Sequence, residues 1–437
     1  MRVDAGKVSV VWCAVMTFLG VGSTAHAQQQ PSPPGEAAFS FDVYGDSRTM
    51  MYLPYRADQE ADARKLIARI FDLVLPPQEA GQVVEKDVKL VYDPATRELA
   101  QVVMPFMTRS EVMTLTMDKG WATDASVEDL KLLPGVHRTV FRLAGGDWVA
   151  RELVRDVRSG SAKFIVSTGD LVWWGAQGAT PFGNPYWKRV DDELLKQLPP
   201  ADSQLRAAGL DGRVVASPGN HEVWEDPKLD GFFGAFPYLR RLGLTDQNLT
   251  YKFDYGGARF IFLWTGRYDA HDATGWSATR PTFEEQMTRL RGWLDEAKAA
   301  GTRKIFIVFH NATFANSGMG PIPEAQNPHK TIAPYAKQLD IVVLNGHIHT
   351  TQLYQVDGVK YLVVGAGGAE QDPILPGRTT NGVPAGYPQE LYWKGAPPLE
   401  EYNYIRITVR PRHPTTFTLV RFRPSSAEPF ATVKLFD

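Results

Sequence analysis

The stretch Ile341–His349, IVVLNGHIH, decides how the rest of the chain is read. Four consecutive Ile, Val and Leu residues suit a strand buried on both faces, and the run stops at Asn-Gly. His347 and His349 stand two residues apart, so in extended backbone both imidazoles project to one side. Four other apolar runs stop in the same way. Phe39–Tyr44 leads into Gly45-Asp46, and Lys163–Ser167 leads into Gly169-Asp170. Arg213–Ala216 precedes Gly219-Asn220-His221, and Lys304–Phe309 ends at His310.

Helical periodicity separates these runs. After Pro281, Thr282 and Glu285 form a capping-box pair, Phe283, Met287, Leu290, Leu294 and Ala297 share one face, and Gly301 closes the helix. Similar patterns cover about Ala61–Leu75, Trp148–Val157 and Tyr186–Leu198. Strands alternating with helices predict α/β layers around a substantially parallel sheet. Ligands of such sheets gather at the C-terminal strand ends, where every polar cluster above falls. Residues 77–146 break the alternation. They carry a hairpin pattern, Val88–Tyr92 and Leu99–Met104 around Asp93-Pro94, and read as an insertion. The segment from Pro373 to Pro398 is rich in Pro and Gly and reads as a long loop. Tyr402–Val409 and Thr416–Phe422 then read as an antiparallel edge.

Composition narrows the function. With 43% apolar and 22% charged residues, the 437-residue chain can bury a full core. A formal net charge of −2, without a basic block, gives no extended surface for nucleic-acid phosphates. The one cysteine, Cys13, excludes a disulfide framework and a Cys-based zinc site. Residues 1–27 have the plan of a secretory signal: Arg2 and Lys7 outweigh Asp4, an apolar run follows, and Ala25-His26-Ala27 offers a cleavage site. Cleavage would remove Cys13. Residues 28–37 read as a Pro/Gln-rich linker and 38–437 as one domain, exported to a periplasm or secreted, with no transmembrane segment after cleavage.

Together the strand ends supply Asp46, Asp170, Asn220, His221, His310, His347 and His349. Carboxylate and imidazole suit Zn, Mn and Fe, and an amide oxygen is acceptable in a mixed shell. A shared carboxylate with ligands for two flanking ions makes a two-metal site, suited to in-line displacement at a phosphoryl group. Each piece alone has a plainer reading. Gly-Asp after a strand is a common turn, Asn and His can cap a helix, and a lone His310 could be a satisfied core residue. An H-x-H pair also marks the TIM-barrel amidohydrolases, although there it normally lies on the first strand. The ordered set is more specific than any member.

That order resembles the calcineurin-like metallophosphoesterase superfamily, including its purple acid phosphatase branch. The likeness is carried by GDSR (45–48), STGD (167–170), SPGNHE (217–222), VFH (308–310), NGHIH (345–349) and VVGAGGAE (363–370). It implies a four-layer αββα sandwich of two mixed β-sheets flanked by helices. It also implies that Asp46 and His349 bind one metal, that Asp170 bridges, and that Asn220, His310 and His347 bind the other. His221 would stabilise the transition state and protonate the leaving oxygen. The identity of the two ions (Fe, Zn or Mn) stays open.

Two positions depart from the superfamily pattern. Arg48 stands where D-x-H would place a histidine, and a guanidinium cannot coordinate a cation. Trp173 stands where purple phosphatases place a tyrosine ligand, so iron–tyrosinate chemistry is not expected. Arg48 is well shaped to hold phosphoryl oxygens, and with Asn220 it forms the expected substrate contacts. The sequence thus predicts an exported phosphoesterase acting on small phosphomonoesters or phosphodiesters through a metal-bound hydroxide. The alternatives are a nuclease or nucleotide phosphodiesterase of the same superfamily, or a non-catalytic metal- or phosphate-binding protein on this fold. His271 and His329 lie in loops that could reach the rim, and His137 and His413 read as surface residues.

Overall fold

Apolar alternation within each strand builds two faces at once, and this determines the layering. The computed structural model describes residues 37–47, 146–172, 185–223, 226–265, 282–317, 320–369 and 402–422, with shorter pieces between 57 and 142, at 175, at 390–391, at 429 and at 431–435. In β9 (Lys304–Val308), Phe306 and Val308 join one core, while Ile305 and Ile307 join the other. In β10 (Asp340–Asn345) the same alternation places Val342 and Leu344 inward and Ile341 and Val343 outward.

β9 and β10 are central strands of a seven-stranded mixed sheet in the order β13-β11-β12-β10-β9-β8-β7. Its other members are β7 (Tyr251–Tyr255), β8 (Ala258–Phe262), β11 (Thr351–Val356), β12 (Val359–Val364) and β13 (Glu390–Leu391). Strands β8, β9, β10 and β12 run parallel. A six-stranded sheet has the order β16-β15-β14-β1-β5-β6. It holds β1 (Phe39–Tyr44), β5 (Ile165–Ser167), β6 (Val214–Ala216), β14 (Tyr402–Val409), β15 (Thr416–Phe422) and β16 (Ala431–Leu435). Its β1, β5 and β6 are parallel, and its β14 to β16 are antiparallel.

The sheets pack through an aromatic seam. Phe41 of β1 lies edge-on to Phe260 of β8 and Phe306 of β9, with ring centroids 5.1 and 5.0 Å apart. Edge-to-face packing suits the ring quadrupoles and large buried areas. On the outer face of the seven-stranded sheet lies helix α3 (Phe283–Ala300), which buries Met287, Leu290, Leu294 and Ala297. Helix α1 (Gly146–Ser159) covers the six-stranded sheet with Val149 and Leu153, and α2 (Pro185–Glu193) adds Trp187 and Val190 to the same core. Two mixed sheets flanked by helices therefore form the fold. Among the described residues, no helix is long and apolar enough to cross a membrane.

The expected box at α3 is present: Thr282 Oγ1 accepts from the Glu285 N–H, Glu285 accepts from the Thr282 N–H, and Gly301 ends the helix at φ 74°. The Trp148–Val157 and Tyr186–Leu198 patterns lie in α1 and in α2 with its following 3-10 turn. The Ala61–Leu75 pattern falls almost wholly outside the described residues. In the 77–146 region β2 (Lys89–Tyr92) pairs with β3 (Leu99–Met107), and β4 (His137–Arg142) extends them into a separate three-stranded sheet. Two expectations need correction. The edge beyond β14 and β15 is β16, whose short ATVKL alternates half-buried and exposed residues and buries Leu435. The Pro373–Pro398 loop also contains β13, which pairs with β11.

Strand β6 ends the six-stranded sheet, and two tyrosines close its open side. The Tyr238 hydroxyl accepts from the Ala216 N–H (3.3 Å) and donates to the Val214 carbonyl (3.1 Å). Tyr251 donates to the Ala216 carbonyl at 2.8 Å. Backbone groups that would otherwise be unpaired on this edge are satisfied, and the loop leaving β6 starts from a fixed point.

Candidate metal centre

Six motif residues meet because five parallel strands, taken from both sheets, end at one level. The turns there are tight. Asp46, Asp170 and His347 have φ of 53°, 54° and 71°, a left-handed conformation that non-glycine residues seldom adopt. Such geometry persists only where surrounding structure imposes it, and it tends to mark functional corners. Glycine permits the close approach of these corners. A Cβ on Gly219 would come within 2.1 Å of Asp170 Oδ1, and one on Gly346 within 2.5 Å of Asp46 Oδ2.

The donors form a continuous cluster. Asp170, His310 and His347 place ligand atoms within 4.8 Å of one another. Asn220 Oδ1 lies 3.0 Å from His310 Nε2 and 3.1 Å from His347 Nδ1. The two imidazoles approach to 3.2 Å, and His310 Nε2 lies 3.3 Å from Asp170 Oδ2. His349 Nε2 stands 3.6 Å from Asp46 Oδ1. Both Asp46 oxygens accept the His347 N–H at 3.0 Å. His221 donates its backbone N–H to Asp170 Oδ1 at 3.0 Å, and its Nε2 lies 3.7 Å from Asp170 Oδ2. All seven residues are buried.

Residues that the sequence reading left without a role hold this arrangement. Glu222 is fully buried and accepts four backbone N–H groups: Gly219 (2.7 Å), Asp170 (2.9 Å), Leu171 (2.6 Å) and Val172 (3.4 Å). It ties the Asp170 corner to the Asn220 loop. Thr168 contributes its carbonyl, 3.0 Å from His310 Nδ1, which turns the Nε2 edge of that ring toward the cluster. Asn345 accepts from the N–H and hydroxyl of Thr313 at 3.0 and 2.9 Å. It donates to the Phe309 carbonyl at 2.9 Å, which links the turns after β9 and β10. Glu222 and Asn345 had a sequence signal: each is a polar residue inside a glycine-rich motif that follows a buried strand.

Charge in the cluster is unbalanced toward the carboxylates. Burial, and then the Asp170 charge, push the Glu222 carboxyl up to about 7. Burial works to lower His310, but Asp170, Asp46 and Glu222 outweigh it and raise the imidazole to about 9. Without metal, these carboxylates favour the protonated form of His310. A buried group of one amide oxygen, carboxylates and imidazoles is the donor chemistry that borderline divalent ions take up, displacing such protons. The residues fit a metal ion.

Other expectations fall elsewhere. His329 is engaged away from this level: Nδ1 is 2.6 Å from the Tyr361 hydroxyl, and Nε2 is 3.0 Å from Asp357 in the β11–β12 turn. It therefore does not reach the site rim. His413 is exposed, and its carbonyl accepts from Lys304 Nζ at 3.0 Å. His137 belongs to β4. Arg48, Trp173, Trp174 and His271 lie outside the described residues.

The sequence profile described as Calcineurin-like phosphoesterase matches residues 136–351, a span that contains every proposed donor except Asp46. No curated protein matches the sequence. Among solved structures, a purple acid phosphatase from yellow lupin seeds is 14% identical, with a TM-score of 0.43. That match covers 68% of this chain and 50% of the lupin chain, so this chain spans about half the lupin protein's length. A dimetal phosphatase from Danio rerio is 15% identical over 66% of this chain and 88% of its own, with a TM-score of 0.35. A 5'-nucleotidase precursor from Thermus thermophilus is 13% identical over 91% of this chain and 54% of its own, with a TM-score of 0.32.

Proposed function

We propose that this chain, whose residues 136–351 match the calcineurin-like phosphoesterase profile, is a member of that family and hydrolyses small phosphomonoesters or phosphodiesters with two metal ions. On this reading it is a metal-dependent phosphoric ester hydrolase, and the substrate size, the ion count and the residue roles are parts of the same proposal. The observation that carries it is the convergence of Asp170, Asn220, His310 and His347, with Asp46 and His349 beside them. Ions bound there would supply a nucleophilic water at neutral pH and offset charge on the phosphoryl oxygens. Asp170, which meets His310 and His221, is the carboxylate that we assign to both ions. Asn220 faces both imidazoles, and its amide would also meet a phosphoryl oxygen.

His221 is assigned to the reaction and not to an ion. A histidine buried beside Asp170 can hold a proton and deliver it to the departing oxygen. Arg48 is proposed as a phosphoryl clamp, on the chemistry of its side chain and its place two residues after Asp46. Export rests on the sequence of residues 1–27. The test is turnover of an aryl phosphomonoester and an aryl phosphodiester before and after chelation. Activity lost to the chelator and restored by Zn or Mn is expected. Turnover unaffected by complete metal removal, or no turnover of either ester by metal-loaded protein, would overturn the reading.

A further inference from the structure

Thr168 is fully buried, and its hydroxyl meets no hydrogen-bond partner among the described residues. An unmet hydroxyl in the interior costs stability, and a valine would fill nearly the same volume without that cost. Such a group calls for an explanation beyond packing. The backbone of the same residue is fully engaged: its N–H donates to the Tyr44 carbonyl at 3.0 Å, and its carbonyl faces His310 Nδ1 at 3.0 Å. The side chain therefore starts from a fixed point, two residues before Asp170. A Cβ on Gly346 would stand 2.7 Å from the Thr168 hydroxyl oxygen and 2.5 Å from Asp46 Oδ2, so both oxygens border the space that this glycine leaves clear. The two ends of the Asp46 carboxylate differ. Oδ1 lies 3.6 Å from His349 Nε2, whereas Oδ2 lies against Gly346 and Gly365. The His347 N–H is shared between them at 3.0 Å each.

We infer that Thr168 is a positioning residue: its hydroxyl donates to Asp46 Oδ2 when the site takes up metal, which leaves Oδ1 turned to the ion beside His349. This rests on the metal-centre reading above. An N–H shared equally between both oxygens selects neither of them; a donor on one oxygen does. A ligating carboxylate that is itself hydrogen-bonded is held in the orientation that binds. The hydroxyl touches neither the ion nor the substrate, and its effect reaches the metal only through Asp46.

The test is a calorimetric titration of chelator-stripped protein with Zn2+, with circular dichroism confirming that each variant is folded. Thr168→Ala and Thr168→Val lack the hydroxyl and should bind zinc about 10–100-fold more weakly, the usual cost of losing a group that orients a metal ligand. Thr168→Ser keeps the hydroxyl and should bind close to wild type. The same Thr168→Ala change in an Asp46→Gly background should cost little more, because the carboxylate it acts through is gone; glycine suits the positive φ at that position. A merely structural threonine would leave the two losses additive. Equal zinc affinities for Thr168→Ala and Thr168→Ser, or full additivity with Asp46→Gly, would overturn the inference and leave the metal-centre reading intact. Wild-type protein that binds no Zn2+ would overturn both.

Discussion

Strand β1 and the turn after it carry two aspartates into the interior, four residues apart and equally inaccessible to solvent, yet their surroundings make them opposites. Asp42 lies within the strand and accepts from Arg406 Nε at 3.0 Å. Arg406 also bonds Asp156 of α1, which in turn accepts from the Tyr404 hydroxyl. Asp46 lies past the strand end at a left-handed φ, beside a backbone N–H and His349. The counter-charge of Asp42 is a guanidinium, a permanent cation that the fold supplies. The ion pairs described for Asp46 and Asp170 are with histidines, which are themselves donors to a metal. A buried acid facing arginine is a finished structural contact. Acids and imidazoles facing one another remain ready to take a cation.

The difference can be probed by mutation, starting at the shared carboxylate. Asp170→Asn should release metal from both groups of donors and reduce turnover beyond the roughly 100-fold typical of losing a partner that orients a ligand. Metal analysis and aryl phosphate hydrolysis measure this, and full retention of both would erase the distinction between Asp170 and an ordinary buried acid. His221→Ala should keep its metal and lose about 10²–10⁴-fold in kcat, least for esters with good leaving groups. Equal losses across leaving groups would remove the proton-donor role. Glu222→Gln replaces half of a carboxylate that meets four N–H groups with a further donor. Metal affinity and activity should fall by about 10–100-fold while the protein remains folded, as read by calorimetry and circular dichroism.

The smallest effect on activity is expected on the structural side. Burial pushes the Asp42 carboxyl up to about 7 from its ordinary 3.8; Arg406 opposes this, and Glu152 adds to it. The folded chain thus keeps a proton that the unfolded chain releases, so this group's contribution to stability is lost as pH rises from about 4 to 7. Asp42→Asn retains an oxygen for Arg406 and removes the titration. Its melting temperature should fall less steeply than wild type's across that window, with kcat unchanged. A kcat that collapses in this variant would mean that the two ends of β1 are not separable.

Much of this arrangement was legible in the sequence, for an identifiable reason. A buried strand that must stop at a site leaves an apolar run ending in Gly, Asp, Asn or His, and all five such runs became parallel strands of the two sheets. The Thr282–Glu285 box was readable because it is local. The β7–β8 and β11–β12 hairpins were missed although Gly256-Gly257 and Asp357-Gly358, all at positive φ, are the turn pairs that two-residue hairpins favour. The left-handed conformations of Asp46 and Asp170 could not have been read, because close contacts between distant loops impose them. The Asp42–Arg406 pair joins residues 364 positions apart and has no local signature. The role of Glu222 lay between these cases, its motif visible and its four N–H partners not.

The most direct test of the account is a crystal structure grown with Zn2+ and inorganic phosphate, with data collected at the zinc absorption edge. The account predicts an anomalous peak among Asp170, Asn220, His310 and His347, with phosphate beside it and within reach of His221. A map with no zinc at those side chains, or with zinc bound only at surface histidines, would contradict it.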